Sequence, residues 1–222
     1  MTYTPVESVV SRLRQLRVVP VIVINDPKQA IPLAEALAEG GLPCAEITFR
    51  TPGAIDALTR IASGRPDFLV GAGTVLTTDQ ADRARDAGAH FAVAPALNAR
   101  VVERCLEIGL PMYPGVCTPS EVEAALALGL RTVKFFPAEP SGGVRYLKAI
   151  AAPYSDVQFM PTGGITRDSL GDYLSFKRVV ACGGSWMAPA EWIREGTFDL
   201  VRDETQRVVQ LVNDIQDRLV MT

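Results

Sequence analysis

Eight short runs rich in β-branched and aromatic residues alternate with helical stretches along this 222-residue chain, and that alternation limits the folds open to it. The runs are Val18–Ile24, Cys44–Phe49, Phe68–Gly71, Phe91–Ala94, Pro111–Tyr113, Thr132–Phe136, Val157–Met160 and Arg178–Cys182. Helical stretches follow at Gln29–Glu39, Gly53–Ala62, Thr78–Ala87, Ala99–Ile108, Ser120–Leu128, Val144–Ala151 and Asp168–Leu174, with a long one over Phe198–Leu219. Strands that point the same way need long connections, so this order predicts parallel pairing through crossover helices. Eight such units predict a (β/α)8 TIM barrel, with an open doubly wound sheet as the alternative. Pro5–Leu16 reads as an extra N-terminal helix. No glycine-rich linker or shift in composition divides the chain, so one domain is expected over residues 1–222.

Composition narrows the function. At 48% hydrophobic and 21% charged residues the chain reads as an ordinary soluble globular protein. A net charge of −3 argues against an electrostatic grip on nucleic acid or an anionic membrane. No apolar run approaches the roughly 20 residues of a membrane span. Met1–Arg17 lacks the apolar core of a signal peptide. Cys44, Cys105, Cys117 and Cys182 show no CxxC or other metal-ligand spacing, which predicts reduced thiols in a cytoplasmic protein and no metal site. The one histidine, His90, excludes HExxH zinc chemistry and argues against a Ser-His-Asp triad. It follows Ala87-Gly88-Ala89, where a helix ends, and is read as structural.

The sixth run carries a lysine in its middle: Thr132-Val133-Lys134-Phe135-Phe136-Pro137-Ala138-Glu139. The chain has four lysines against eighteen arginines, and the other three (Lys28, Lys148, Lys177) sit among polar or helix-forming residues. Removing an ammonium from water costs several kcal/mol unless it is paired or neutralised. A neutral amine is the nucleophile that converts a carbonyl into a Schiff base. The alternative is a lysine at a strand end whose head snorkels into water.

In a barrel the chemistry sits at the C-terminal ends of the strands. The second run and its exit read Glu46-Ile47-Thr48-Phe49-Arg50-Thr51, and a period of two places Glu46, Thr48 and Arg50 on one face. With Ile47 and Phe49 toward the helices, that polar set points inward. Glu46 can take and return protons, and Arg50 offers a planar fork matched to a carboxylate or phosphate. A structural Glu46–Arg50 ion pair is the alternative. Gly71-Ala72-Gly73-Thr74, read as leaving the third strand, permits close backbone approach and offers the Thr74 hydroxyl. Pro161-Thr162-Gly163-Gly164-Ile165 and Cys182-Gly183-Gly184-Ser185-Trp186 follow the seventh and eighth strands. Paired glycine loops in those two units form the recurrent phosphate cradle of such barrels. A lysine nucleophile, a carboxylate, an anion-binding arginine and a phosphate cradle suit a Schiff-base aldolase acting on a phosphorylated keto acid.

On four blocks the chain closely resembles the 2-keto-3-deoxy-6-phosphogluconate (KDPG) / 4-hydroxy-2-oxoglutarate aldolase family. They are Glu46-Ile47-Thr48-Phe49-Arg50-Thr51, Gly71-Ala72-Gly73-Thr74-Val75-Leu76, Val133-Lys134-Phe135-Phe136-Pro137-Ala138-Glu139 and Pro161-Thr162-Gly163-Gly164-Ile165. The resemblance implies a class I pyruvate aldolase of the Entner–Doudoroff pathway with no cofactor, assembled as a homotrimer. It implies Lys134 as the Schiff-base residue and Glu46 as general acid–base. Arg50 and Thr74 would hold the pyruvate carboxylate. Gly163, Gly164, Gly184 and Ser185 would receive the phosphate, with Thr162 near the substrate hydroxyls. Two positions depart from the family pattern: Phe49 replaces the usual leucine, and Ala94-Pro95-Ala96 replaces Ser-Pro-Gly, which removes a hydroxyl near the mouth. The galactonate epimer and 4-hydroxy-2-oxoglutarate are alternative substrates for the same chemistry. An isomerase or synthase barrel, or a non-catalytic phosphometabolite-binding barrel, would share the cradle without needing Lys134.

Overall fold

The computed structural model describes residues 6–220, with side chains described from 8 to 219. Its strands are β1 (Val18–Ile22), β2 (Cys44–Thr48), β3 (Leu69–Gly73), β4 (Phe91–Val93), β5 (Met112–Tyr113), β6 (Gly115–Val116), β7 (Thr132–Phe135), β8 (Gln158–Pro161) and β9 (Cys182–Gly184). Six pair in the order β5-β4-β3-β2-β1-β9 and three in the order β6-β7-β8. Every pair is parallel, as strand–helix alternation requires. Single parallel bridges, Phe159 to Val179 and Thr162 to Gly183, tie the two sheets together. The fold is α/β and barrel-like.

The helices are α1 (Val6–Leu16), α2 (Ala30–Glu39), α3 (Ala54–Gly64), α4 (Thr78–Asp86), α5 (Ala99–Glu107), α6 (Pro119–Ala127), α7 (Gly143–Ala151), α8 (Arg167–Leu174), α9 (Ala190–Glu195) and α10 (Phe198–Val220). Pro5, expected at the start of the N-terminal helix, lies outside the described residues. Capping follows local chemistry: Thr118 and Glu121 close a capping box on α6, and Thr77 caps α4.

Alternation along each strand creates two cores. Cys44, Leu69, Phe91, Val93, Tyr113 and Met160 turn to the inner side and pack with Val9 and Leu13 of α1. Ala45, Ile47, Val70, Ala72, Val133 and Phe135 turn to the helical layer. Cys44 and Leu69 are the first residues of their strands, so α1 closes the N-terminal end of the barrel. The C-terminal ends are left for a site.

Several strands differ from their expected bounds by a residue or two, and three differ for reasons their surroundings show. β3 continues through Gly73 instead of ending at Gly71, because its glycines make room for neighbouring side chains. A Cβ on Gly71 would collide with the Phe91 ring, and one on Gly73 with the side chain of Glu46. The fifth strand resumes as β6 beyond Pro114, which lacks an N–H yet accepts a hydrogen bond from the Lys134 amide at 2.9 Å. β9 begins at Cys182 and not Arg178. The carbonyls of Val179 and Val180 accept from the buried Arg17 guanidinium at 2.8 and 3.1 Å, and the backbone of Arg178 and Val180 bonds Phe159 of β8, so that stretch is held by a side chain and by β8 before pairing with β1 begins. Pairing with β1 starts where the Cys182 amide donates to the Arg17 carbonyl. The short helix α9 had no apolar periodicity to announce it.

Candidate active site

Lys134 is held on β7 between Val133 and Phe135, whose side chains enter the helical layer, so its own turns inward. Glu46 takes the same orientation on β2, between Ala45 and Ile47. The two meet across the barrel interior, with Lys134 Nζ 3.3 Å from Glu46 Oε1. Lys134 is 5% exposed and Glu46 1%. Two opposite charges buried together offset much of the desolvation that either alone would suffer. The Glu46 carboxyl group occupies the space that Gly73 leaves on the neighbouring strand. Glu46 Oε2 is buried and has no hydrogen-bond partner among the described residues, a deficit that a structural ion pair would be expected to satisfy. Arg50 is not that pair's partner; Lys134 is.

Thr48, the next inward residue on β2, spends its hydroxyl on the Ile22 carbonyl at 2.7 Å. Deeper in the barrel, Tyr113 packs at 5.9 Å from the Phe91 ring with its hydroxyl unpartnered among the described residues, and burial pushes that phenol up.

Phe136 links the ion pair to the open end. Lys134 Nζ lies 5.3 Å from the centre of its ring, and the same residue lines a cavity of about 630 Å3. Six of the residues singled out from the sequence line that cavity: Arg50, Thr162, Gly163, Gly164, Gly184 and Ser185. Its size falls within the range of small-molecule sites. Arg50 and Ser185 are exposed, while Thr162 is 6% exposed with its hydroxyl 3.5 Å from the Met160 carbonyl. Gly163 and Gly164 both hold left-handed backbone, with φ of 104° and 81°. Such turns are open to glycine and can present bare amides to an anion.

Lys134 and Glu46 are not themselves among the residues lining this cavity, and two further placements differ from the expectation. Gly184 lies inside β9 and not in a loop, and the ring of Trp186 fills the space beside it. Thr74 does not line the cavity. It follows Gly73, whose carbonyl accepts from the Phe49 amide, so its backbone is next to the Arg50 exit. Its φ of 58° is left-handed, a conformation that costs a β-branched residue about 1–3 kcal/mol and that clusters at functional sites. The residue that sequence reasoning passed over is Phe136. It lies within Val133-Lys134-Phe135-Phe136-Pro137-Ala138-Glu139, but an aromatic beside a strand gives no sign of facing a cavity.

His90 is half-buried, with Nδ1 3.2 Å from the Val70 carbonyl, and takes no part in this site. Among the described residues no group of three or more His, Cys, Asp or Glu is placed to hold a metal ion. Among the same residues no helix is long and apolar enough to cross a membrane.

With this geometry in place, similarity to known proteins is informative. A family model described as KDPG and KHG aldolase matches residues 9–203. The chain is 45% identical to 2-dehydro-3-deoxy-phosphogluconate aldolase of Haemophilus influenzae, over 97% of this chain and 99% of that protein. It is 43% identical to KHG/KDPG aldolase of Escherichia coli K12, over 87% and 91% respectively. Its fold matches the crystal structure of KDPG aldolase from Legionella pneumophila with pyruvate captured as a covalent carbinolamine intermediate. That match has a TM-score of 0.88 at 39% identity and covers 92% of this chain and 98% of the other. The chain belongs to the KDPG and KHG aldolase family.

Proposed function

We propose that this chain is a class I aldolase that cleaves 2-keto-3-deoxy-6-phosphogluconate to pyruvate and glyceraldehyde 3-phosphate through a Schiff base on Lys134. The observation that carries the reading is the buried contact of 3.3 Å between Lys134 Nζ and Glu46 Oε1. An amine that attacks a carbonyl must first lose a proton, and Glu46 is the acceptor in reach.

In this reading the neutral Lys134 amine adds to the C2 carbonyl. Glu46 returns a proton to the carbinolamine hydroxyl, water leaves, and an iminium remains. Glu46 then takes the proton of the C4 hydroxyl. The C3–C4 bond breaks, its electron pair passes into the iminium as an enamine, and the aldehyde departs. Protonation at C3 and hydrolysis release pyruvate and restore the amine. The iminium is the electron sink, so the cycle uses no cofactor. Arg50 and Thr74 are assigned to the pyruvate carboxylate, Thr162 to the hydroxyls, and Gly163, Gly164, Gly184 and Ser185 to the phosphate. The cavity lining supports all of these but Thr74, whose support is its strained backbone beside the Arg50 exit.

The same proposal takes residues 1–222 as one domain and the strands as a closed (β/α)8 barrel, with β5 and β6 as one interrupted staff and two bridges closing the circle. It takes the protein as cytoplasmic and homotrimeric, the latter to be read by light scattering. The E. coli relative's double name keeps 4-hydroxy-2-oxoglutarate as a second substrate, and kcat/KM on the two acids ranks them.

Borohydride reduction in the presence of pyruvate is the direct test. A reduced pyruvyl adduct on the peptide carrying Lys134 is expected, and its absence, with pyruvate release surviving Lys134→Ala, overturns the reading.

A further inference from the structure

Just beyond β7 the chain braces the two glycines assigned to the phosphate. The Ala138 amide donates to the Thr162 carbonyl at 2.8 Å, and the Glu139 amide donates to the Gly163 carbonyl at 2.9 Å. Gly163 lies against Phe136, Pro137 and Ala138, and Gly164 against the Cβ and Cγ of Glu139. Both glycines hold left-handed backbone, so the turn they form depends on what surrounds it.

The Glu139 side chain is fixed in turn. The hydroxyl of Tyr173, a residue of α8 that is 1% exposed, donates to Glu139 Oε1 at 2.5 Å. The carboxylate lies over Gly143 at the start of α7, where the positive end of the helix dipole favours it. Its methylene stem therefore faces Gly164 while its charge is drawn toward α7. α8 is the helix that follows the Gly163-Gly164 turn, and Tyr173 ties it back to the loop that follows the lysine strand.

We propose that Glu139 and Tyr173 are positioning residues for the phosphate cradle. They hold the Gly163-Gly164 turn in shape. Neither touches the reacting carbons, so the pair governs binding of the phosphorylated end and not imine chemistry. This inference rests on the aldolase reading of the site.

The test separates the two ends of the substrate. Exchange of the pyruvate methyl protons with deuterium reports imine and enamine formation without any phosphate. KM for the phosphorylated keto acid, and competitive inhibition by inorganic phosphate, report the cradle. Tyr173→Phe is expected to raise that KM and weaken phosphate inhibition about tenfold, the scale of one hydrogen bond to a charged group. Pyruvate exchange should stay within about twofold of the parent. Glu139→Ala should behave like Tyr173→Phe, whereas Glu139→Gln keeps an acceptor for the tyrosine and should restore most of the affinity. Because Glu139 is exposed, its variants carry the test if Tyr173→Phe does not fold. An unchanged KM in Glu139→Ala, or pyruvate exchange falling in step with phosphate affinity, overturns the positioning role. Absence of pyruvate exchange in the parent protein overturns the aldolase reading and this inference with it.

Discussion

The carboxyl group of Glu46 fills the space beside Gly73, one strand away, where any side chain would displace it. Gly73→Ala should push the carboxylate off Lys134 Nζ and lower kcat by about 100-fold, the lower end of the acid–base scale. Gly71→Ala is the companion. Its Cβ meets the Phe91 ring instead, so it should cost about 1–3 kcal/mol of stability by overpacking while the folded protein keeps its turnover. Steady-state kinetics and urea unfolding on both variants check this contrast, and equal kcat in the two would refute it.

The Lys134–Glu46 pair is buried on both sides, so its members depend on each other for stability. Lys134→Met leaves a carboxylate inside the barrel without its cation and should destabilise by about 3–5 kcal/mol. Adding Glu46→Gln removes the stranded charge and should recover most of that loss, although Lys134→Met and the double variant should both be inactive. Urea midpoints of the two singles and the double complete the cycle. A double variant less stable than Lys134→Met alone would show that the charges do not act as a pair.

The inward direction of Lys134 and Glu46, and the place of Arg50 at the strand exit, were legible in the sequence because period-two alternation reports side-chain direction. The parallel barrel-like arrangement was legible from the count and order of the runs. What escaped depends on residues distant in sequence. Gly71-Ala72-Gly73 read as leaving the third strand because nothing local says that Phe91 and Glu46 need the space beside Gly71 and Gly73. The shift of β9 to Cys182 depends on a guanidinium more than 160 residues away. Phe136 and Thr74 differ in kind: facing a cavity, or adopting a left-handed φ, leaves no trace in composition or period.

Arg17 behaves as the fastener of the seam between β8 and β9. Its guanidinium donates to the carbonyls of Val179, Val180 and Leu174 at 2.8, 3.1 and 2.8 Å, all in one buried fork. Arg17→Leu strands three carbonyls and should lower unfolding free energy by several kcal/mol, given about 1–3 kcal/mol for each buried unsatisfied group. Arg17→Lys should recover little, since an ammonium cannot match the planar fork. Thermal unfolding reads the effect, and a lysine variant as stable as the parent would reject the fork argument.

The four cysteines should separate by reactivity. Burial pushes the Cys44 and Cys105 thiols up to about 12 and raises Cys182 as well, so their thiolates are scarce at neutral pH. Cys117 is half-buried, with Sγ donating to Ser141 Oγ at 3.0 Å. Iodoacetamide on the native protein should therefore label Cys117 first, as peptide mapping will read. Equal early labelling of Cys44 or Cys182 would contradict the burial argument.

His90 gives the protein a pH dependence of known sign. Burial holds its imidazole below the ordinary 6.5, with the Arg12 charge adding to the effect and the Val70 carbonyl opposing it. Between the lowered folded value and 6.5 the unfolded chain binds the extra proton more readily, so stability rises with pH in that window. The contribution is complete above 6.5 and is lost as the pH falls from there toward the folded value. Urea unfolding between about pH 7.5 and 5.5 should therefore show declining stability for the parent, in the range where His is the ordinary titrating side chain. His90→Gln removes the titration and should flatten that slope without altering kcat, because His90 stands outside the cavity that holds Arg50 and Thr162. A slope unchanged by the substitution would assign the pH dependence to the carboxylates instead.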